Sequence, residues 1–315
     1  MIFNMNYEET LIQLALNNKD IIILTAENRA SIRNLPNIIN DQFIDSGISE
    51  QSLIGISAGL SLRGRIPIVH GIAAFITMRA FEFIRTDIGY PNLNVKIVGN
   101  FPGFLSTANG PTHQAVEDVC LMRSIPNMNI FCPSDLNDLV IGLPKIISYN
   151  QPFYIRYNDL PAIVEHDQLA LGKAEIFGNG KDIAILTYGT LFNEAFNAKI
   201  LLEEKGFSTR LINLRTLKPI DEFEIIKTIK LCKTIVVIED HYKIGGLYSI
   251  LSEIIVREKL RADVITLSLQ NKFFKPALFD SVLEYEGFTA KQIVDRIINI
   301  LQTKQRSFNV EWSSI

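Results

Sequence analysis

A single carboxylate, Glu50, closes the polar stretch from Asp41, and an apolar run rich in small residues begins directly after it. Ile54, Ile56, Ala58 and Leu60 interleave there with Gly55, Ser57 and Gly59. That pattern puts Glu50 in the first turn of a helix, beside free backbone N–H groups and a positive dipole end. Small residues on the helix let another backbone or a flat ligand come close. A first-turn acid is equally a solvated cap, so spacing alone leaves both readings open. Phe75 and Arg79 share a helix face, which suits a core stripe as well as a wall of a binding site. His113 follows a loop, 99–111, rich in Gly, Pro, Ser and Asn. Such a loop in a compact domain is functional or disordered, and its histidine could move protons or be a satisfied structural group.

The elements that must position these residues follow an α/β rhythm. A helix is expected over Tyr7–Asn18, a buried strand over Asp20–Thr25, and a strand over Arg65–His70. A helix is expected from Gly71 to Arg85, a strand over Asn94–Val98, and a helix from Gln114 through Cys120 and Arg123. Then come a strand at Met128–Cys132, a helix at Asp135–Ser148 that Pro144 should kink or break, and a strand at Phe153–Arg156. Asp159–Leu171 reads as a linker, after which the rhythm restarts with strands at 182–187, 208–212 and 234–239. A helix over Leu191–Lys205 ends at Gly206, and Gly245-Gly-Leu247 opens another.

The chain has 315 residues, 47% hydrophobic and 21% charged, with a formal net charge of −3. That supports two globular domains and points away from nucleic acid or a membrane surface. Cys120, Cys132 and Cys232 lack metal spacing and suit free thiols in a reducing compartment. With no basic–apolar leader and no apolar run of membrane-spanning length, a cytoplasmic protein is expected.

Three ordered segments carry a resemblance. Asp45-Ser-Gly-Ile-Ser-Glu50-Gln with Ala58-Gly-Leu60 is the first. Ala73-Ala-Phe75 with Arg79-Ala-Phe-Glu-Phe-Ile-Arg85 is the second. Gly110-Pro-Thr-His-Gln114 with Glu117-Asp118 is the third. Together they resemble the pyrimidine-binding part of transketolases, and the region after the linker resembles the transketolase C-terminal domain. The resemblance implies two domains, 1–165 and 166–315, each a mostly parallel sheet flanked by helices. It implies thiamine diphosphate between subunits, with Glu50 on N1′ of the aminopyrimidine and Phe75 stacked on that ring. Ile72 and Met78 stand where the family often has aromatics, and Glu27 and Asn28 stand where it has Ala-Asp-Leu near the cofactor. His113 is implied to bond the two-carbon fragment of a ketose passed to an aldehyde, with Arg79 near the substrate. Arg156 matches an arginine that contacts sugar phosphate. His241 is left between a structural histidine and one that enters a neighbouring subunit's site.

Two positions depart from the family. Asn109 replaces an aspartate before Gly-Pro-Thr-His, and Phe101 replaces a histidine that helps bind phosphate, so an unusual sugar is expected. The family's Gly-Asp-Gly, which holds Mg²⁺ and the diphosphate, is absent. The chain therefore looks like the C-terminal subunit of a split transketolase, inactive without an N-terminal partner that carries the motif, in an α2β2 assembly. A β subunit of a 2-oxo acid dehydrogenase, a relative of deoxyxylulose-phosphate synthase and a non-catalytic partner are the alternatives.

Overall fold

The computed structural model describes residues 5–312. Helix α1 (Tyr7–Asn17) opens on a reciprocal cap, in which Asn6 accepts from Glu9 N and the Glu9 carboxylate accepts from Asn6 N. Strand β1 (Ile21–Thr25) follows, then β2 (Phe43–Asp45), α2 (Glu50–Leu62) and β3 (Ile66–Ile72). A wound segment containing the short α3 (Phe81–Phe83) leads to β4 (Lys96–Asn100), α4 (Asp118–Arg123) and β5 (Asn129–Phe131). Helix α5 (Leu136–Ser148) and β6 (Phe153–Arg156) complete the first half. The second half runs β7 (Glu175–Phe177), β8 (Ile183–Thr187), α6 (Phe192–Glu204), β9 (Thr209–Asn213), β10 (Thr216–Lys218) and α7 (Glu222–Leu231). It ends with β11 (Thr234–Tyr242), α8 (Leu247–Arg257), β12 (Val264–Leu269), α9 (Phe279–Glu286) and α10 (Ala290–Trp312).

Two mostly parallel sheets result, ordered β10-β5-β6-β4-β3-β1-β2 and β12-β11-β8-β9-β7. Strands buried on both faces read as nearly continuous apolar runs, as in Ile-Ile-Ile-Leu-Thr of β1. The antiparallel members are β10 on β5 and β7 on β9. Strand β10 belongs to the second half of the chain yet pairs in the first sheet, so the two halves share a sheet edge. Their apolar cores are also continuous, with Leu53, Ile97 and Met122 in one cluster with Leu186, Ile212 and Val237.

The structure departs from the sequence expectations at three places. The helix foreseen over Gly71–Arg85 is a strand as far as Ile72, then a π turn at Phe75–Arg79, α3, and a second π turn at Ile84–Gly89. Thr77 Oγ1 donates to Ala73 O at 2.7 Å, the back-bonding that loosens a regular helix. The helix foreseen from Gln114 begins only at Asp118, because the Gln114 amide is drawn away to Phe274 O at 2.7 Å. Helix α5 runs through Pro144 without ending, since Leu143, Ile146 and Ile147 are buried and hold the turns on either side.

A buried polar network ties the halves together. His166 donates to Asp135 Oδ2 and to Glu175 Oε2, each at 2.8 Å, and Arg215 bonds both Asp138 and Glu175. Burial opposes a charged imidazole, but the hydrogen bonds to Asp135 and Glu175 outweigh it and push its pKa from 6.5 up to about 10. A raised folded-state value means the stabilisation is complete below the unfolded pKa and is lost as pH rises through about 10. We therefore expect His166→Gln to unfold at lower urea than the native chain near neutral pH, with the gap closing in strong alkali. A gap that stays constant with pH contradicts a cationic His166.

Candidate functional site

Glu50 is the first residue of α2 and is 3% exposed, so it is not the solvated cap that its spacing also allowed. The preceding turn is fixed by Asp45, which accepts from Gly47 N and Glu27 N and pairs with Arg29. Gly47, at φ +68°, supplies the left-handed bend that brings the chain round into the helix. The partner of Glu50 is Arg79, whose Nη1 donates to Oε2 at 2.8 Å.

The π turn places Phe75 and Arg79 side by side. The guanidinium of Arg79 lies over the Phe75 ring, 4.4 Å from its centroid, and remains 42% exposed. The His113 ring packs on Phe75 with centroids 4.9 Å apart and an interplanar angle of 58°. Its Nδ1 pairs with Thr112 Oγ1 at 2.9 Å. Ile72, Phe75 and Met78, partly buried, pack on Ala73, Ala74 and Ala115. Glu50, Ile72, Phe75, Met78, Arg79 and His113 thus form one group, at the carboxyl edge of a parallel sheet where α/β proteins bind ligands. A carboxylate, an aromatic face and an apolar wall suit a flat heteroaromatic ring that donates a hydrogen bond. Arg79, itself flat and a donor, bonds the carboxylate and lies over the Phe75 ring there.

Among the described residues, no hydrogen bond joins Glu27, Asn28, Phe101 or Asn109 to this group. Glu27 is exposed at φ +61° after β1. Asn28 follows, its amide Nδ2 buried and without a partner among the described residues. Phe101, at φ +57° and 37% exposed, and the exposed Asn109 lie on the loop after β4. Among the described residues, no group of His, Cys, Asp and Glu could hold a metal ion.

Arg156, matched above to a phosphate-contacting arginine, is 1% exposed. Nε donates to Asp118 Oδ2 at 2.9 Å and Nη1 to Asp240 Oδ1 at 2.7 Å, and burial is outweighed by these carboxylates, which raise its pKa. Thr190 Oγ1 and Phe104 N also donate to Asp240, at 2.6 and 3.2 Å. The chain thereby joins strand β6, helix α4, strand β11 and the loop before His113. His241 is structural as well. It is fully buried, donates from Nδ1 to Tyr242 O, and accepts at Nε2 from Cys120 N. The sequence shows Asp118 and Asp240 only as members of acidic pairs, Glu117-Asp118 and Glu239-Asp240, with no local sign that an arginine between them joins the two. Arg156→Leu leaves both carboxylates buried without a counter-charge. We expect a loss of about 3–5 kcal/mol in urea unfolding, and near-native stability contradicts the network.

A carboxylate at a buried helix start, paired with an arginine that lies over an aromatic ring, stands on the first of two α/β domains. Residues 3–160 match the model of the transketolase pyrimidine-binding domain and residues 172–293 that of the transketolase C-terminal domain, so the chain belongs to the transketolase family. It is 34% identical to a putative transketolase C-terminal section of Methanocaldococcus jannaschii, across 93% of this chain and 94% of that protein. It is 32% identical to a 6-deoxy-6-sulfo-D-fructose transketolase subunit of Clostridium sp. strain MSTE9, across 95% of this chain and 94% of that one. Among solved structures, a split-gene transketolase described as an inactive beta4 tetramer superposes with a TM-score of 0.84 at 32% identity, covering 94% of this chain and 97% of that one. Transketolase from Campylobacter jejuni shares the fold at a TM-score of 0.75 and 16% identity, and there this chain covers 45% of the other.

Proposed function

We propose that this chain is the C-terminal subunit of a split transketolase, which moves a two-carbon ketol unit from a ketose to an aldehyde. The observation that carries the reading is Glu50, buried at the start of α2 and paired with Arg79, whose guanidinium lies over the Phe75 ring. The near-complete mutual coverage with a C-terminal section and with a transketolase subunit supports it.

Thiamine diphosphate, the family's cofactor, supplies when bound the carbon centre that opens the ketose beside its carbonyl and carries the two-carbon unit. The residues of this chain fit its pyrimidine end. Glu50 Oε2 would exchange Arg79 for the ring nitrogen N1′ and share a proton with it. Phe75 would stack on the ring, with Ile72 and Met78 as apolar walls and Asn28 and Glu27 at the rim. His113 would bond the oxygen of the transferred unit through its free edge. The diphosphate and Mg²⁺ would be held by an N-terminal subunit bearing Gly-Asp-Gly, in an α2β2 assembly. Helix α2 offers such a subunit a flat approach, since a Cβ added at Gly55 or Gly59 would meet nothing within 4 Å.

Glu50→Gln in the assembled complex should lower kcat by roughly 10²-fold or more while the fold persists. Near-normal turnover at saturating cofactor refutes the role. By titration calorimetry the chain alone should bind thiamine diphosphate with Mg²⁺ weakly. Tight, Mg²⁺-dependent binding without a second polypeptide rules out the divided site.

A further inference from the structure

We propose that the aldehyde accepted at this site is an uncharged polyhydroxy aldehyde without a terminal phosphate, and that Phe101 sets the preference. The inference rests on the split-transketolase reading above and names the substrate class of the same site.

A phosphate dianion is recognised by charged forks of donors. From Gly99 to Ala115 the loop bordering the site holds no lysine or arginine. Arg156, which could have supplied the fork, is consumed by Asp118 and Asp240. It is also sealed in. Gly103, at φ +52°, lies so close that a Cβ there would sit 1.9 Å from Asp240 Oδ2 and 2.6 Å from Arg156 Nη2. The next residue, Phe104, is fully buried, its ring 5.1 Å from that of Phe274 and 5.3 Å from that of Phe288. Freeing Arg156 would pull Phe104 out of this aromatic cluster and leave two buried carboxylates unpaired. The other arginine of the site, Arg79, is held by Glu50 and Phe75.

At the place where the loop leaves β4, the chain presents an aromatic ring instead. Phe101 is in the left-handed region at φ +57°, unusual for a bulky residue, and the residue is 37% exposed. An aromatic face offers no donor to a dianion and accepts the C–H face of a neutral sugar. The residue before Phe101 carries an uncharged amide. Asn100, the last residue of β4, pairs in register with Ile72 of the cofactor group and so shares its sheet face. It is 1% exposed, and neither end of its amide has a partner among the described residues. A buried amide in that condition calls for a ligand, and one donor with one acceptor matches sugar hydroxyls.

The test uses the complex of this chain with its N-terminal subunit, loaded with thiamine diphosphate and Mg²⁺, and hydroxypyruvate as donor. Acceptors are compared in pairs, ribose 5-phosphate with ribose and glyceraldehyde 3-phosphate with glyceraldehyde. We expect kcat/KM to favour the phosphate-free member by about tenfold or more, and Phe101→His to shift the ratio towards the phosphorylated member by a similar factor. Millimolar inorganic phosphate should leave the melting temperature of the complex unchanged. A preference of about 100-fold for the phosphorylated sugars, or stabilisation by inorganic phosphate, overturns the inference while leaving ketol transfer intact. An unmoved ratio in Phe101→His overturns the role of that residue. Absence of turnover with every acceptor overturns the underlying reading and the inference with it.

Discussion

A guanidinium removed from water between two domains is tolerated only where carboxylates meet it with good geometry. Arg156 satisfies that condition through Asp118 on α4 and Asp240 on β11, both fully buried. The pair organises what lies above it. Asp240 also receives the backbone N–H of Phe104, so the loop after β4 is held down on the domain junction. Further along the loop Gln114 is tied to Phe274 O, and Ala115 packs in the apolar group below Phe75. His113 lies between these anchors, which explains how a loop residue keeps its ring against Phe75. The position of the candidate catalytic histidine is thus a consequence of an ion pair buried beneath its loop.

The carboxylate side of the site is held by different means. Glu50 owes its direction to the turn built on Asp45 and Gly47, and its counter-charge to Arg79 on the π turn. π turns inside helices recur at functional sites, and here the wider winding brings Phe75 and Arg79 onto the same patch. Arg79 is the more exposed member of its pair, the arrangement expected of a group that can yield its place to a ligand.

Much of this was legible in the residues. Apolar runs bounded by turn residues mark most of the central strands, and three separated motifs single out Glu50, Phe75, Arg79 and His113, which the fold makes neighbours. What escaped were features set by partners far away in the chain. Strand β10 is three residues long and finds its place only against β5. The π winding of Phe75–Arg79 and the late start of α4 at Asp118 depend on tertiary hydrogen bonds, not on periodicity. A local match to a phosphate-contacting arginine carries no information on which acids surround Arg156. The burial that decides its role comes from Asp240, 84 positions away. The pairing of His166 with Asp135 and Glu175 was invisible for the same reason.

The central claim is that this chain holds one half of a divided ketol-transfer site. The most direct measurement is the rate of ketol transfer from a ketose to an aldehyde, with thiamine diphosphate and Mg²⁺ present, for this chain alone, for the N-terminal subunit alone and for the two combined. The account predicts turnover in the combined sample only, and turnover by this chain alone at the rate of the mixture would contradict it.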